Sequence, residues 1–185
     1  MKHLNIALVA HDARKQELLE WFEFNISVLC MHKLYATGTT GKLMQKIVDK
    51  YNIFTSYESK SQTLIPKIAS INPFDKPFII DNKSITNEPY KVECLLSGPL
   101  GGDQMIGAMI AQGQIDVLIF FCDNLITQGH QTDISALTRL ASLYNIAFAT
   151  NRTTADMILT SRLFAHEEYV PIKQDFSNYL NRKYK

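Results

Sequence analysis

The sequence predicts an α/β domain built as a three-layer, doubly wound and mostly parallel five-stranded sheet. Three observations predict it. Five short β-rich runs alternate with longer segments of helical periodicity, the pattern of successive βαβ units. The runs "LNIALVAH" and "IDVLIFF" are apolar nearly throughout rather than alternating, as strands covered on both faces must be. Nearly every run also ends in polar residues, which a purely structural sheet would not require. A chain of 185 residues suits one domain that buries about two-thirds of its unfolded surface, so residues 1–185 read as a single domain.

Each element follows from its residues. "LNIALVAH" (4–11) reads as a buried strand, followed by a helix near 13–24 in which Leu18, Leu19 and Phe22 share a face. "KLYAT" (33–37) is a second strand, and "TTGKLMQKIVDKY" (39–51) a second helix. "KVECLL" (91–96) is a third strand, followed by a helix from Gly102 to about Gln112, with Gly113 placed to cap it. "IDVLIFF" (115–121) is a fourth strand. Ile134, Leu137, Ala141 and Tyr144 then recur at helical spacing near 132–144, and "IAFAT" (146–150) is a fifth strand. "TTADMILTS" (153–161) and "NYLNRKYK" read as closing helices. From about Val48 to Tyr90 the periodicity is lost and Pro66, Pro73, Pro77 and Pro89 fall among polar residues. That stretch reads as an insertion within the domain but outside its core, with "PFIID" (77–81) as a short strand of its own.

The charge balance excludes several classes of function. With a formal net charge of +1, no global field points to nucleic acid or to an anionic membrane, so any anion site must be local. No apolar run approaches the roughly 20 residues that span a bilayer, and "MKHLNIALVAHD" reads as a strand rather than a leader. Cys30, Cys94 and Cys122 are odd in number, widely spaced and set among apolar neighbours. They are expected to be buried thiols in a reducing compartment, which makes the cytoplasm the expected location.

Ligands of a doubly wound sheet bind beyond the carboxyl ends of its strands. In chain order those ends carry His11 and Asp12 with Lys15, then Thr37, Gly38, Thr39, Thr40 and Gly41, then Ser97, Gly98 and Pro99 running on to Asp103. Asp123 follows, with His130 and Asp133 behind it, and then Thr150 to Thr154. "ATGTTG" has the chemistry of a phosphate cradle: glycines admit close backbone approach, three hydroxyls donate, and a helix N-terminus offers unpaired N–H groups. The alternative is that Thr39 or Thr40 merely caps the helix. Lys15, about one turn past the first strand, could neutralise the same phosphate, or could simply be a solvated side chain.

"SGPLGGD" sets three glycines in front of a carboxylate. If Asp103 only served the helix start it would stabilise by roughly 0.3–1 kcal/mol, and that role needs no glycines. Glycine's value here is close backbone approach to a small ligand with Asp103 held over it. His11-Asp12 and His130 with Asp133 could be metal ligands, but no third His or ligating Cys supports a metal. No Walker sequence, dinucleotide fingerprint or Ser-His-Asp order is present.

Taken together, "IALVAHD" with Lys15, "LYATGTTG", "LLSGPLGGDQMIGAMI", "IDVLIFFCDNL" and the run from His130 through "DISALTRLASLYNIAFATNRTTADMI" resemble the methylglyoxal synthase family. The resemblance covers nearly the whole chain except about 48–90, where that family usually has a much shorter connection. It implies a parallel α/β domain assembled as a homohexamer, converting dihydroxyacetone phosphate to methylglyoxal and phosphate with no metal or other cofactor. It also implies Asp103 as the catalytic base and His130 as the proton-transferring imidazole. His11, Lys15, Thr37, Gly38, Thr39, Thr40, Ser97 and Gly98 fall on its substrate and phosphate contacts, and Asp12, Asp123, Asp133 and Arg139 on its supporting network. Asn124, where a proline is common, and Gln131-Thr132, where an acidic-Pro pair is usual, depart from the pattern and bear on the rigidity of the His130 loop. Inorganic phosphate, as product, is expected to compete with substrate, and no nucleic acid or membrane partner is implied.

A second reading is a non-catalytic effector-binding module, because the same fold forms the regulatory domain of carbamoyl phosphate synthetase. A binder needs the threonines but has no use for Asp103, His130 and Asp133 together. Their joint presence favours an enzyme, since function is argued from the site and not the fold.

Overall fold

The computed structural model describes residues 2–58, 89–125, 129 and 131–182. Its sheet has five strands, β1 (Asn5–Ala10), β2 (Lys33–Thr37), β3 (Val92–Leu95), β4 (Val117–Phe121) and β5 (Ala147–Ala149). They lie in the order β3-β2-β1-β4-β5 and every pair is parallel. The helices are α1 (Lys15–Phe24), α2 (Ile26–Leu29), α3 (Gly38–Glu58), α4 (Gly102–Ala111), α5 (Gln131–Leu143), α6 (Arg152–Thr160) and α7 (Ser177–Leu180). The chain winds outward through β2 and β3, then returns to the other side of β1 to add β4 and β5.

The period-2 geometry of a strand divides the apolar residues between two faces. Ile6 and Leu8 of β1 and Val117, Ile119 and Phe121 of β4 pack with Leu18, Trp21 and Phe22 of α1, Met44 and Val48 of α3, and Ala155 of α6. Ala7 and Val9 with Leu118 and Phe120 face the opposite layer, where Ile106 and Ile110 of α4 meet Ile134, Leu137 and Ala141 of α5. That is the three-layer arrangement the alternating pattern predicts. Full burial of each large side chain contributes about 1.5–3 kcal/mol. Trp21 also donates from Nε1 to Oδ1 of Asp156 at 2.7 Å, so the one polar atom of its ring ties α1 to α6.

Two expectations need correction. The second helix does not end near Tyr51. It continues to Glu58, so residues 48–58, read as aperiodic, are helical. Val48 is fully buried in the core, and Asn52 grips the chain as it returns: its Nδ2 donates to the Tyr90 carbonyl at 2.8 Å, and the Tyr90 N–H donates to its Oδ1 at 2.9 Å. Gln45 accepts the Val92 N–H at 2.7 Å, which ties α3 to the start of β3. The remainder of the expected insertion, including "PFIID", lies outside the described residues. Secondly, Cys94 is exposed, because β3 is an edge strand whose burial varies residue by residue. Cys30 is buried and Cys122 half-buried.

Candidate active site

Because the strands are parallel, their carboxyl ends share one edge. The registers Thr37↔Leu95 and Ala10↔Phe121 set the residues that follow β3, β2, β1 and β4 side by side. The winding reverses between β1 and β4, the position where open α/β sheets form a ligand crevice.

In the turn after β3, two of the three glycines make room for different neighbours. A 3₁₀ turn at Gly98–Leu100 is closed by the Ser97 carbonyl, which accepts from the Leu100 and Gly102 N–H groups, both at 2.9 Å. A β-carbon on Gly102 would sit 2.1 Å from the Leu96 oxygen, so no side chain fits there. At Gly98 the obstacle is different: its β-carbon would lie 2.9 and 3.1 Å from the two carboxylate oxygens of Asp103. Asp103 occupies the first turn of α4, is 3% exposed, and is folded back over the Gly98 backbone. A helix N-terminus favours that charge.

The turn after β2 docks onto the turn after β3. The Gly38 N–H donates to the Leu96 carbonyl at 3.1 Å. Gly38 adopts a left-handed φ of 41°, with the Ser97 Cα only 2.6 Å from where a β-carbon would be. Thr37 and Thr40 are buried, Thr39 is exposed, and all three lie where the 21-residue α3 presents its first N–H groups.

The turn after β1 is held to the turn after β4. The Asp123 N–H donates to Nδ1 of His11 at 2.7 Å, and the His11 ring meets Phe120 edge-on with centroids 5.0 Å apart. Asp12 pairs with Lys15 at 2.6 Å, the carboxylate lying out in solvent and the lysine side chain only 27% exposed. Lys15 is therefore held in place and is not a freely solvated chain. Oδ1 of Asp123 accepts the Leu125 N–H at 3.1 Å.

Asp133, half-buried on the first turn of α5, lines with Asp103 a cavity of about 280 Å³ between α4 and α5. His130 lies outside the described residues. Arg139 is exposed on α5. The end of β5 has a structural role: Oδ1 of Asn151 accepts the Thr154 N–H at 2.9 Å and caps α6.

Sequence reasoning missed Phe120, which reads only as a strand residue, and the Asp123 backbone amide, for which no sequence signal exists. Cysteine chemistry is poorly served here. Burial pushes the Cys122 thiol up to about 11 and that of Cys30 up to about 12, so neither forms a nucleophilic thiolate near neutral pH. The arrangement sets a buried carboxylate on one turn against a hydroxyl and N–H cradle on the next, with a lysine and an imidazole along the same edge. That set suits proton abstraction beside a carbonyl in a small phosphorylated substrate.

Residues 81–150 match the family model of the MGS-like domain. Over 180 residues, 97% of this chain and 96% of the relative, the sequence is 41% identical to the methylglyoxal synthase of Maridesulfovibrio salexigens. It is 40% identical over 181 residues to that of Yersinia enterocolitica, covering 98% of this chain and 92% of the relative. The crystal structure of methylglyoxal synthase from Elizabethkingia anophelis superposes with a TM-score of 0.70 at 34% identity, covering 99% of this chain and 93% of that one.

Proposed function

The chain belongs to the methylglyoxal synthase family, and on that premise we propose how its own residues divide the work of the lyase reaction. In that reaction dihydroxyacetone phosphate becomes methylglyoxal and inorganic phosphate through an enediolate. Asp103 is the base. Its burial at 3% exposure, folded over the Gly98 backbone at the head of α4, is the observation that carries the assignment. It removes a proton from the hydroxymethyl carbon next to the carbonyl, and the electron pair moves onto the carbonyl oxygen.

A carboxylate is a weak base for carbon, so fixed donors must meet the developing oxyanion. His130 takes that role and the proton transfers, on the strength of the family resemblance. The enediolate then carries phosphate on the adjacent carbon. Once His130 has moved the terminal hydroxyl proton to that oxyanion, and with the C–O bond to phosphate held roughly perpendicular to the enediolate plane, the terminal oxygen's electrons expel phosphate. The resulting enol gains a proton on carbon and loses one from oxygen to give methylglyoxal. Triosephosphate isomerase, a well-known handler of the same intermediate, uses a Glu and a neutral His and suppresses the phosphate loss.

Thr37, Gly38, Thr39, Thr40, Ser97, Gly98 and Lys15 receive the leaving dianion. The docking of the β2 turn on the β3 turn supports that grouping. Asp12 holds Lys15, and Asp123 and Asp133 support the imidazoles. Homohexameric assembly, a cytoplasmic location and inhibition by inorganic phosphate belong to the same reading. Among the described residues no helix is long and apolar enough to cross a membrane. A non-catalytic effector module would have no use for a carboxylate buried against the cradle. The deciding experiment is phosphate release from dihydroxyacetone phosphate by the purified protein and by Asp103→Asn. Release by the wild type alone supports the assignment, and equal release by both overturns it.

A further inference from the structure

His11 leaves β1 and Asp123 leaves β4, the strands on either side of the winding reversal. Their register continues past the sheet, where the His11 N–H donates to the Phe121 carbonyl at 3.1 Å. This sets Nδ1 of His11 2.7 Å from the Asp123 backbone nitrogen. A peptide N–H can only donate, so Nδ1 must offer its lone pair. The Asp123 carbonyl is 3.1 Å from the same nitrogen, but a hydrogen on Nδ1 would be forced against the amide hydrogen at the shorter contact. With Nδ1 accepting, the single hydrogen of a neutral imidazole sits on Nε2. Turning the ring over would put a carbon where the Asp123 amide needs an acceptor. Phe120 packs edge-on against the ring at an interplanar angle of 81°, and the residue is 5% exposed, so the orientation is held on both sides.

We infer that His11 meets the substrate as a neutral imidazole donating from Nε2, and that the Asp123 amide and the Phe120 ring hold it in that form. The inference rests on the proposed lyase site and adds a specificity to it. A ring that can only donate selects an oxygen with free lone pairs, such as a carbonyl, hydroxyl or enediolate oxygen, and leaves proton abstraction to Asp103. A substrate analogue lacking that oxygen forfeits the Nε2 hydrogen bond, and its binding is expected to weaken about 10–100-fold.

The test reads the tautomer directly in the free protein. Two-bond ¹H–¹⁵N correlation of the labelled chain resolves its 5 histidine rings, and His11 is assigned by the pattern lost in His11→Asn or His11→Gln. The expected result is a pyridine-type Nδ1 and a pyrrole-type Nε2. The reverse pattern, or protons on both nitrogens at neutral pH, overturns the inference. Adding a phosphorylated hydroxamate, a planar enediolate mimic, should shift the Nε2 resonance. An unmoved Nε2 in the saturated complex removes His11 from the site.

The two variants separate the roles. His11→Asn retains an acceptor for the Asp123 amide and loses the Nε2 donor, so it should keep the melting temperature and bind the hydroxamate 10–100-fold more weakly. His11→Gln retains a distal donor and strands the amide, so its melting temperature should fall. Equal behaviour of the two counts against the assignment. A protein with the Nε2–H pattern that releases no phosphate from dihydroxyacetone phosphate retires the lyase reading, while the tautomer assignment stands.

Discussion

Gly98 and Asp103 share one volume: a β-carbon on the glycine would lie 2.9 Å from Oδ2 of the carboxylate. Gly98 is not among the residues with positive φ, so its backbone accepts alanine and the nearest conflict is with Asp103. Gly98→Ala should therefore fold, with the carboxylate pushed off its position. Displacing a reacting group by about 1 Å costs on the order of 10²-fold in rate, so kcat should fall by about that much while hydroxamate affinity changes little. Steady-state phosphate release together with inhibitor titration measures both. Wild-type turnover in a folded Gly98→Ala protein would show that the carboxylate position does not matter.

Asp103→Asn preserves the shape of the side chain and removes the proton acceptor. Turnover should drop by roughly 10²–10⁴, while affinity for a phosphorylated enediolate mimic stays within about tenfold, because that anion no longer faces a carboxylate. If Asp103 were only a helix-start charge, the loss would instead be about 0.3–1 kcal/mol of stability with near-normal turnover.

Thr40 lies almost fully buried on the first turn of α3. Thr40→Ala should raise KM about tenfold or more by removing a hydrogen bond to a charged phosphate, and should weaken competition by inorganic phosphate in parallel. Initial-rate measurements across phosphate concentrations check this. A change in melting temperature with kinetics intact would assign Thr40 to packing only.

The reciprocal bonds between Asn52 and Tyr90 bring the end of α3 beside the start of β3. Beyond Asn52 the helix runs six residues to Glu58, about 9 Å of rise. A Gly/Ser connection of about eight residues reaches about 15 Å. Replacing 59–88 with that connection while keeping Asn52 and Tyr90 should leave a folded protein that releases phosphate, since loop length costs little. An insoluble product would show that the replaced residues contribute to the folded core or to an assembly contact.

His32 should make the protein acid-sensitive. Its ring is buried against Phe164, with centroids 5.2 Å apart, and its Nδ1 accepts the Leu4 N–H at 3.4 Å. Burial, helped by the neighbouring His3, pushes its pKa down from 6.5 to about 4, against an opposing pull from Asp116. The unfolded chain takes up this proton near pH 6.5, and the folded chain takes it up only near pH 4. The contribution is therefore complete above 6.5 and is lost as pH falls from 6.5 to 4. At about 1.4 kcal/mol per pH unit it amounts to at most about 3 kcal/mol. Urea unfolding followed by the fluorescence of Trp21, the one tryptophan, should show that slope, and His32→Gln should flatten it. An unchanged slope in the variant would assign the acid sensitivity to other groups.

Much of this is legible in the residues. β1 and β4 are continuous apolar runs, and α5 announces itself through Ile134, Leu137 and Ala141, all buried in the structure. The glycines of "SGPLGGD" read as room for a small ligand beneath Asp103; in the structure Gly98 clears the Asp103 carboxylate and Gly102 clears Leu96. Where reading failed, the missing information lay far along the chain. α3 loses its apolar rhythm after Tyr51, yet it continues because Asn52 finds Tyr90, 38 residues away. The exposure of Cys94 follows from the place of β3 at the sheet edge, a fact of strand order that its neighbours in sequence do not encode.

The alternation of strands and helices, the faces that are buried, and the edge on which the polar residues gather are all written in the order of the residues. Periodicity, propensity and turn chemistry act over a few residues and can be read there. That Gly98 yields space to Asp103 while Gly102 yields it to Leu96, and that an amide 112 residues from His11 sets the hydrogen on its ring, depends on contacts across the fold. Those are distances between atoms that meet only when parallel strands fall into register, so they come into being with the sheet.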